Sequence, residues 1–248
     1  MSKLSTPLLV LAMAGVAAAQ QPVHVLASNG VREVIKDLQP KVEHAIGHPL
    51  MIEYGSTTDL VKKIGAGESF DLTLLTTEAI DKLIQSGKLA ASTRADIARC
   101  GVGVGIRAGA PKPDISTPEA MKATLLKAKY VSYAADGASR KFVEQMEQTF
   151  GIADQMEPKT MLTHGSVEAD ANVAAGKADI VLTLGSEILP APGVQLVGPL
   201  PAAVQHYVNF AAAVNGMAKN AEAAKAMIKF LKSPAAAPVY QAKGMEGR

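Results

Sequence analysis

Ile52-Glu53-Tyr54-Gly55-Ser56-Thr57-Thr58-Asp59-Leu60-Val61-Lys62-Lys63-Ile64 joins an extended run to a helical pattern through one glycine and three hydroxyl residues. Leu50, Met51, Ile52 and Tyr54 supply the β-prone part. A Ser or Thr at a helix start caps the free backbone N–H groups. Those groups, with the positive end of the helix dipole, also form an anion site. The same strand–small or polar–helix junction recurs at Ala27-Ser28-Asn29-Gly30, at Asp136-Gly137-Ala138-Ser139 and at His164-Gly165-Ser166. Each hydroxyl can be a helix cap and nothing more; their repetition at equivalent positions favours convergence on one ligand.

Outward from this stretch, Val23 to Ala27 reads as a buried strand, followed by helical spacing at Val31, Val34, Ile35 and Leu38. Pro40 is expected to kink or break that helix before Val42 and Ile46. Phe70 to Leu75 is a third strand, and Thr76 and Thr77 open the next helix. This alternation of apolar strands and helices predicts a parallel sheet covered on both faces. Val102 to Ile106 reads as a strand punctuated by glycines, and a second series runs from helix Thr117–Ala128 to strand Asp179–Thr183. A strand over Tyr207–Val214 and two helical patterns end the chain. Two such series joined by connectors near 102–110 and 198–208 predict two α/β lobes, residues 20–104 plus 206–248 and residues 105–205, with a ligand cleft between them beyond the strand ends.

Lys3 and the apolar run Pro7 to Ala19 read as a signal peptide (1–19), with Ala17-Ala18-Ala19 as the cleavage rule's small residues, so export is expected. The formal charge of +2 and the absence of a long basic run give nucleic-acid binding no support. Cys100 is the single cysteine and reads as a small core residue. The histidines, at 24, 44, 48, 164 and 206, show no metal-ligand spacing. No nucleophile–base pair stands out among the hydroxyls and carboxylates, so the expectation is a binding protein and not an enzyme.

The segments Leu26-Ala27-Ser28-Asn29-Gly30, Tyr54 to Gly67 and Phe70 to Thr76, in that order in an exported chain, resemble the periplasmic solute-binding proteins of ABC importers. Within them the chain is most similar to the molybdate-binding group. Val102 to Lys122, Ala178 to Pro201 and Phe230 to Gly244 resemble that group's crossover, late second-lobe segment and C-terminal helix. The resemblance implies a two-lobed type II periplasmic-binding-protein fold, each lobe a mainly parallel sheet flanked by helices. It also implies a monomer that closes on a small oxyanion, molybdate or tungstate, without a cofactor, and docks on a membrane permease.

Carried over by residue, the first-lobe contacts fall on Ser28, with Asn29 beside it, and on Ser56 and Thr57. The second-lobe contacts fall on Ala138, Ser139 and Val167, with Arg140 and Leu184 at the points of departure. Where molybdate binders commonly place a tyrosine after the late strand, this chain has Leu184. Where they commonly have a Pro-Ala-Gly-like turn, it has Gly137-Ala138-Ser139-Arg140-Lys141. Arg140, if it faces the cleft, would suit a carboxylate or sulfonate, so an organic acid is the alternative ligand; a periplasmic enzyme or a regulatory domain on the same scaffold are the remaining readings.

Overall fold

The computed structural model describes residues 20–248, so the signal-peptide expectation for residues 1–19 lies outside it. The first lobe begins with β1 (Val23–Ser28), a 3-10 turn over Asn29–Val31, and α1 (Arg32–Ile46). It continues through β2 (Leu50–Gly55), α2 (Thr57–Gly65), β3 (Leu72–Thr76) and α3 (Thr77–Gln85) into β4 (Ala95–Arg107). The second contains α4 (Pro118–Lys127), β5 (Val131–Ala134), α5 (Arg140–Thr149), α6 (Ala153–Met156) and β6 (Thr160–Thr163). It goes on with α7 (Ser166–Ala174), β7 (Ile180–Leu184), α8 (Gly185–Ile188) and β8 (Val194–Pro199). The chain then returns through β9 (Tyr207–Val214), α9 (Ala221–Leu231), α10 (Ala237–Ala242) and β10 (Met245–Gly247).

All five residues of β3 and of β7 are buried, as strands covered by helices on both faces must be. The pairs β1–β2, β1–β3, β5–β6 and β5–β7 are parallel, as the alternating pattern predicts. The long strand β4 and the returning strands β8, β9 and β10 are antiparallel to their neighbours, so the sheet is mixed. Sequence reading places only Val102 to Ile106 in β4. Ala95–Gly101 mixes buried and exposed residues and carries two charges, Asp96 and Arg99, which hides its strand character.

Pro40 neither breaks nor ends α1, which runs through it to Ile46. Val34, Ile35 and Leu38 before the proline and Val42 after it are buried in one core. That shared burial holds the helix across the missing N–H. The same core takes up Ala224, Met227, Leu231 and Tyr240, so the terminal helices pack back on the first lobe. A second core is built on Val102, Val104, Ile106, Met121, Val131 and Leu182. The two halves of β4 therefore serve different cores: Ile97, Ala98 and Cys100 the first, Val102 to Ile106 the second.

Backbone approach is tightest along β4 at Gly105, where a Cβ would lie 2.6 Å from Val181 Cγ1 and 3.0 Å from Val194 Cγ1. Gly105→Ala is expected to cost about 1–3 kcal/mol through overpacking, read as a melting temperature several degrees lower. An unchanged melting temperature would show that the two valines yield freely.

Candidate functional site

The lobes meet over a closed cleft lined by Ser28, Asn29, Gly30, Ser56 and Thr57 from one side. Asp136, Gly137, Ala138, Gly165, Ser166, Leu184 and Glu187 line the other. Its free space is about 20 Å³, room for roughly one water. In the first lobe, Ser56 caps α2: its Oγ accepts the Asp59 N–H at 3.1 Å and donates to Asp59 Oδ2 at 2.9 Å. Ser28 ends β1, where its Oγ accepts the Gly30 N–H and the Thr57 hydroxyl, each at 3.4 Å. These bonds are long, which leaves both hydroxyls available to a better acceptor. A Cβ at Gly30 would lie 2.5 Å from Phe210 and 2.9 Å from Leu184, so this backbone must be glycine to pass under the second lobe.

In the second lobe the Gly165 N–H donates to Asp136 Oδ1 at 2.8 Å, fixing the entry to α7. Leu184, buried at the end of β7, offers the cleft an apolar surface and no donor. Two residues into α8 stands Glu187. Its Oε1 accepts the Ser166 hydroxyl at 3.0 Å and its Oε2 the Thr183 hydroxyl at 2.6 Å. The residue is half-buried and lines both the cleft and an adjoining compartment. Enclosure by protein pushes its pKa up, against the lowering effect of the two hydroxyls and of the Arg32 charge.

Three further contacts join the lobes. Lys141 Nζ lies 2.9 Å from Glu78 Oε1, linking α5 to α3. The Phe142 ring stacks on His206 with centroids 4.7 Å apart. His164, with its side chain 80% exposed, sits 3.7 Å from Asp59 and 3.6 Å from Asp136, bridging carboxylates of both lobes.

Of the residues expected at the site, Ser28, Asn29, Ser56, Thr57, Ala138 and Leu184 come together in the cleft. Three do not. Ser139, the residue at the N-cap of α5, is buried outside the cleft lining. Arg140 turns along its own helix, donating to Glu144 Oε1 at 2.7 Å and to the Ala135 carbonyl at 2.9 Å. Its charge is already paired by the carboxylate one helical turn on. Val167 is 68% exposed and lines the compartment beside the cleft instead. Sequence reading missed Asp136 as a lining residue and, above all, Glu187. The signal is present in Thr183-Leu184-Gly185-Ser186-Glu187, a fifth strand–small–helix junction with a carboxyl in its first turn.

Two α/β lobes that close helix N-termini over a small polar cleft define a solute-binding protein of the type II periplasmic class. The chain belongs to the family described as bacterial extracellular solute-binding protein, which residues 23–246 match. It is 32% identical to the aconitate isomerase of a Pseudomonas species, over 98% of this chain and 92% of that protein. The periplasmic molybdate-binding protein of Azotobacter vinelandii shares the fold with a TM-score of 0.77 at 17% identity, covering 90% of this chain and 98% of that one. The tungstate-binding protein of Desulfovibrio alaskensis G20 shares it with a TM-score of 0.66 at 15% identity, covering 93% and 99%. The expectation that the chain is not an enzyme is corrected here, because the aconitate isomerase relative is named as one and matches nearly end to end. The sequence shows no nucleophile–base pair and no metal-ligand spacing, whereas a single enclosed carboxyl is enough for proton transfer.

Asp170 of α7 is 6% exposed, and burial together with the nearby Glu187 charge pushes its pKa up to about 8. The folded chain thus holds a proton that the unfolded chain loses near pH 4, so stability from this group falls as pH rises from about 4 to about 8. Asp170→Asn is expected to flatten that fall, with a melting temperature above the wild type near pH 8 and close to it near pH 4. A wild-type melting temperature that rises with pH over this range, unaltered by the substitution, would contradict the assignment.

Proposed function

We propose that the chain captures a small polycarboxylate between its lobes and isomerises it by moving one proton through Glu187. The observation that supports this most is the carboxyl itself, set with a raised pKa into a cleft lined by hydroxyls and helix starts. An inert anion gains nothing from a glutamate there. A substrate that must lose and regain a proton needs one, with a pKa drawn toward the working pH.

The isomerase relative suggests the substrate class, a propene tricarboxylate. Glu187, as carboxylate, takes a proton from the methylene carbon. The released electron pair spreads through the adjacent C=C bond and its carboxylate. The proton then returns from Glu187 to the other end of the three-carbon unit, so one C–H bond breaks, another forms and the double bond shifts. No oxidant, reductant, metal or resident cofactor enters this balance. The free N–H groups of α2 and α7 and the Ser28, Ser56 and Thr57 hydroxyls hold the carboxylates and the charge that develops on them. Thr183 and Ser166 orient the glutamate by the bonds already described.

A second reading keeps the tetrahedral oxyanion, molybdate or tungstate, delivered in the periplasm by a monomeric chain to an ABC permease. The small free space and the three hydroxyls favour it. The two readings part at Glu187. Glu187→Gln is expected to lower the rate of aconitate isomerisation, followed by proton NMR, by about 100-fold or more, while aconitate binding persists. Ser28→Ala combined with Ser56→Ala is expected to weaken aconitate binding about tenfold with the fold intact. A wild type that binds molybdate and leaves aconitate neither bound nor isomerised would establish the second reading instead.

A further inference from the structure

Beside the cleft lies a compartment of about 450 Å³, walled in the first lobe by Asn29, Arg32 and Glu33, the last of these paired with Lys36 at 2.9 Å. Ser166, Asp170, Ser186 and Glu187 form its polar wall in the second lobe, with Ala171 and Pro190 among its apolar surfaces. It shares Asn29, Ser166 and Glu187 with the cleft, so the two spaces adjoin at the glutamate. The cleft alone, in this closed form, holds about one water and cannot enclose three carboxylates.

The polar groups of this compartment are incompletely used. Arg32 donates from Nη2 to Asn29 Oδ1 at 2.5 Å, and its guanidinium lies over the Tyr54 ring, 5.2 Å from the centroid. Its Nε is buried without a hydrogen-bond partner. Asp170 is more than nine-tenths buried, and its Oδ1 also lacks a partner. Unpaired buried donors and acceptors are costly and rare. Here a cation held flat by an aromatic face and a buried, partly unpartnered carboxyl line one cavity, in which a carboxylate would pair with the guanidinium.

We propose that this compartment is the subsite for one carboxymethyl arm of the substrate, with Arg32 as its cationic contact and the buried Asp170 as a hydrogen-bonding neighbour. The arm reaches past Glu187 from the cleft, which leaves the glutamate beside the three-carbon unit where the proton moves. This rests on the polycarboxylate reading above. The apolar wall accounts for the methylene, and the absence of a second arginine in the wall limits the subsite to a single carboxylate.

The test is calorimetry with two ligands that cannot isomerise: tricarballylate, the saturated tricarboxylate, and succinate, which lacks the third arm. Wild type is expected to bind tricarballylate more tightly than succinate. Arg32→Gln is expected to weaken tricarballylate about 10- to 100-fold and to change succinate less than about twofold. Arg32→Lys, which keeps the charge but loses the fork, is expected to fall between them and guards against a misfolded glutamine variant. Unchanged tricarballylate affinity in a folded Arg32→Gln overturns the subsite while the polycarboxylate reading stands. Equal loss of both ligands also overturns it, by placing Arg32 in the cleft itself. A wild type that binds neither overturns the polycarboxylate reading and the subsite with it.

Discussion

One strand, β4, joins the two halves of the sheet in this protein, and the site follows from that constraint. β4 pairs through its first half with β9 and β10 and through its second half with β7 and β8. The strand cannot serve two cores without crossing between lobes, and β9 returns alongside it. The helix starts at the cleft are positioned by strands tied to this pair, among them α2 after β2, α5 after β5, α7 after β6 and α8 after β7. The glycines of β4 are part of the same constraint, since Val181 and Val194 pack where a side chain at Gly105 would stand. With the strand ends aimed at one another, closure brings donors from both sides without any single residue having to span the gap.

Within that frame the electrostatics are asymmetric. The first lobe contributes hydroxyls and N–H groups, suited to holding negative charge. The second contributes similar backbone groups and also three carboxyls, Asp136, Glu187 and Asp170, of which burial raises the pKa of the last two. Raising the pKa of a carboxyl makes its ionised form a stronger base and its neutral form easier to regain.

Most of the architecture was legible in the sequence because it rests on period and punctuation. β6 and β9 fall on the residues read as Thr160–Thr163 and Tyr207–Val214, and α7 begins at Ser166 as expected. What escaped depended on distant partners. The first half of β4, with Asp96 and Arg99 in it, becomes a strand only because β9 and β10 lie on either side. α1 survives Pro40 because its apolar stripe is buried on both sides of it. At the site, Ser28, Ser56, Thr57 and Ala138 could be named from their junctions. Arg140 could not be excluded without seeing Glu144 beside it. Glu187 was invisible as a functional group because its character comes from enclosure between Ser166 and Thr183, residues that sequence spacing does not place together.

The central claim is geometric, so the most direct measurement is a crystal structure of the wild type with tricarballylate bound. Carboxylates are expected on the N–H groups of α2 and α7, and a Glu187 oxygen within about 3.5 Å of a methylene carbon. A ligand seated elsewhere, or one whose carbons all lie out of reach of Glu187, would contradict it.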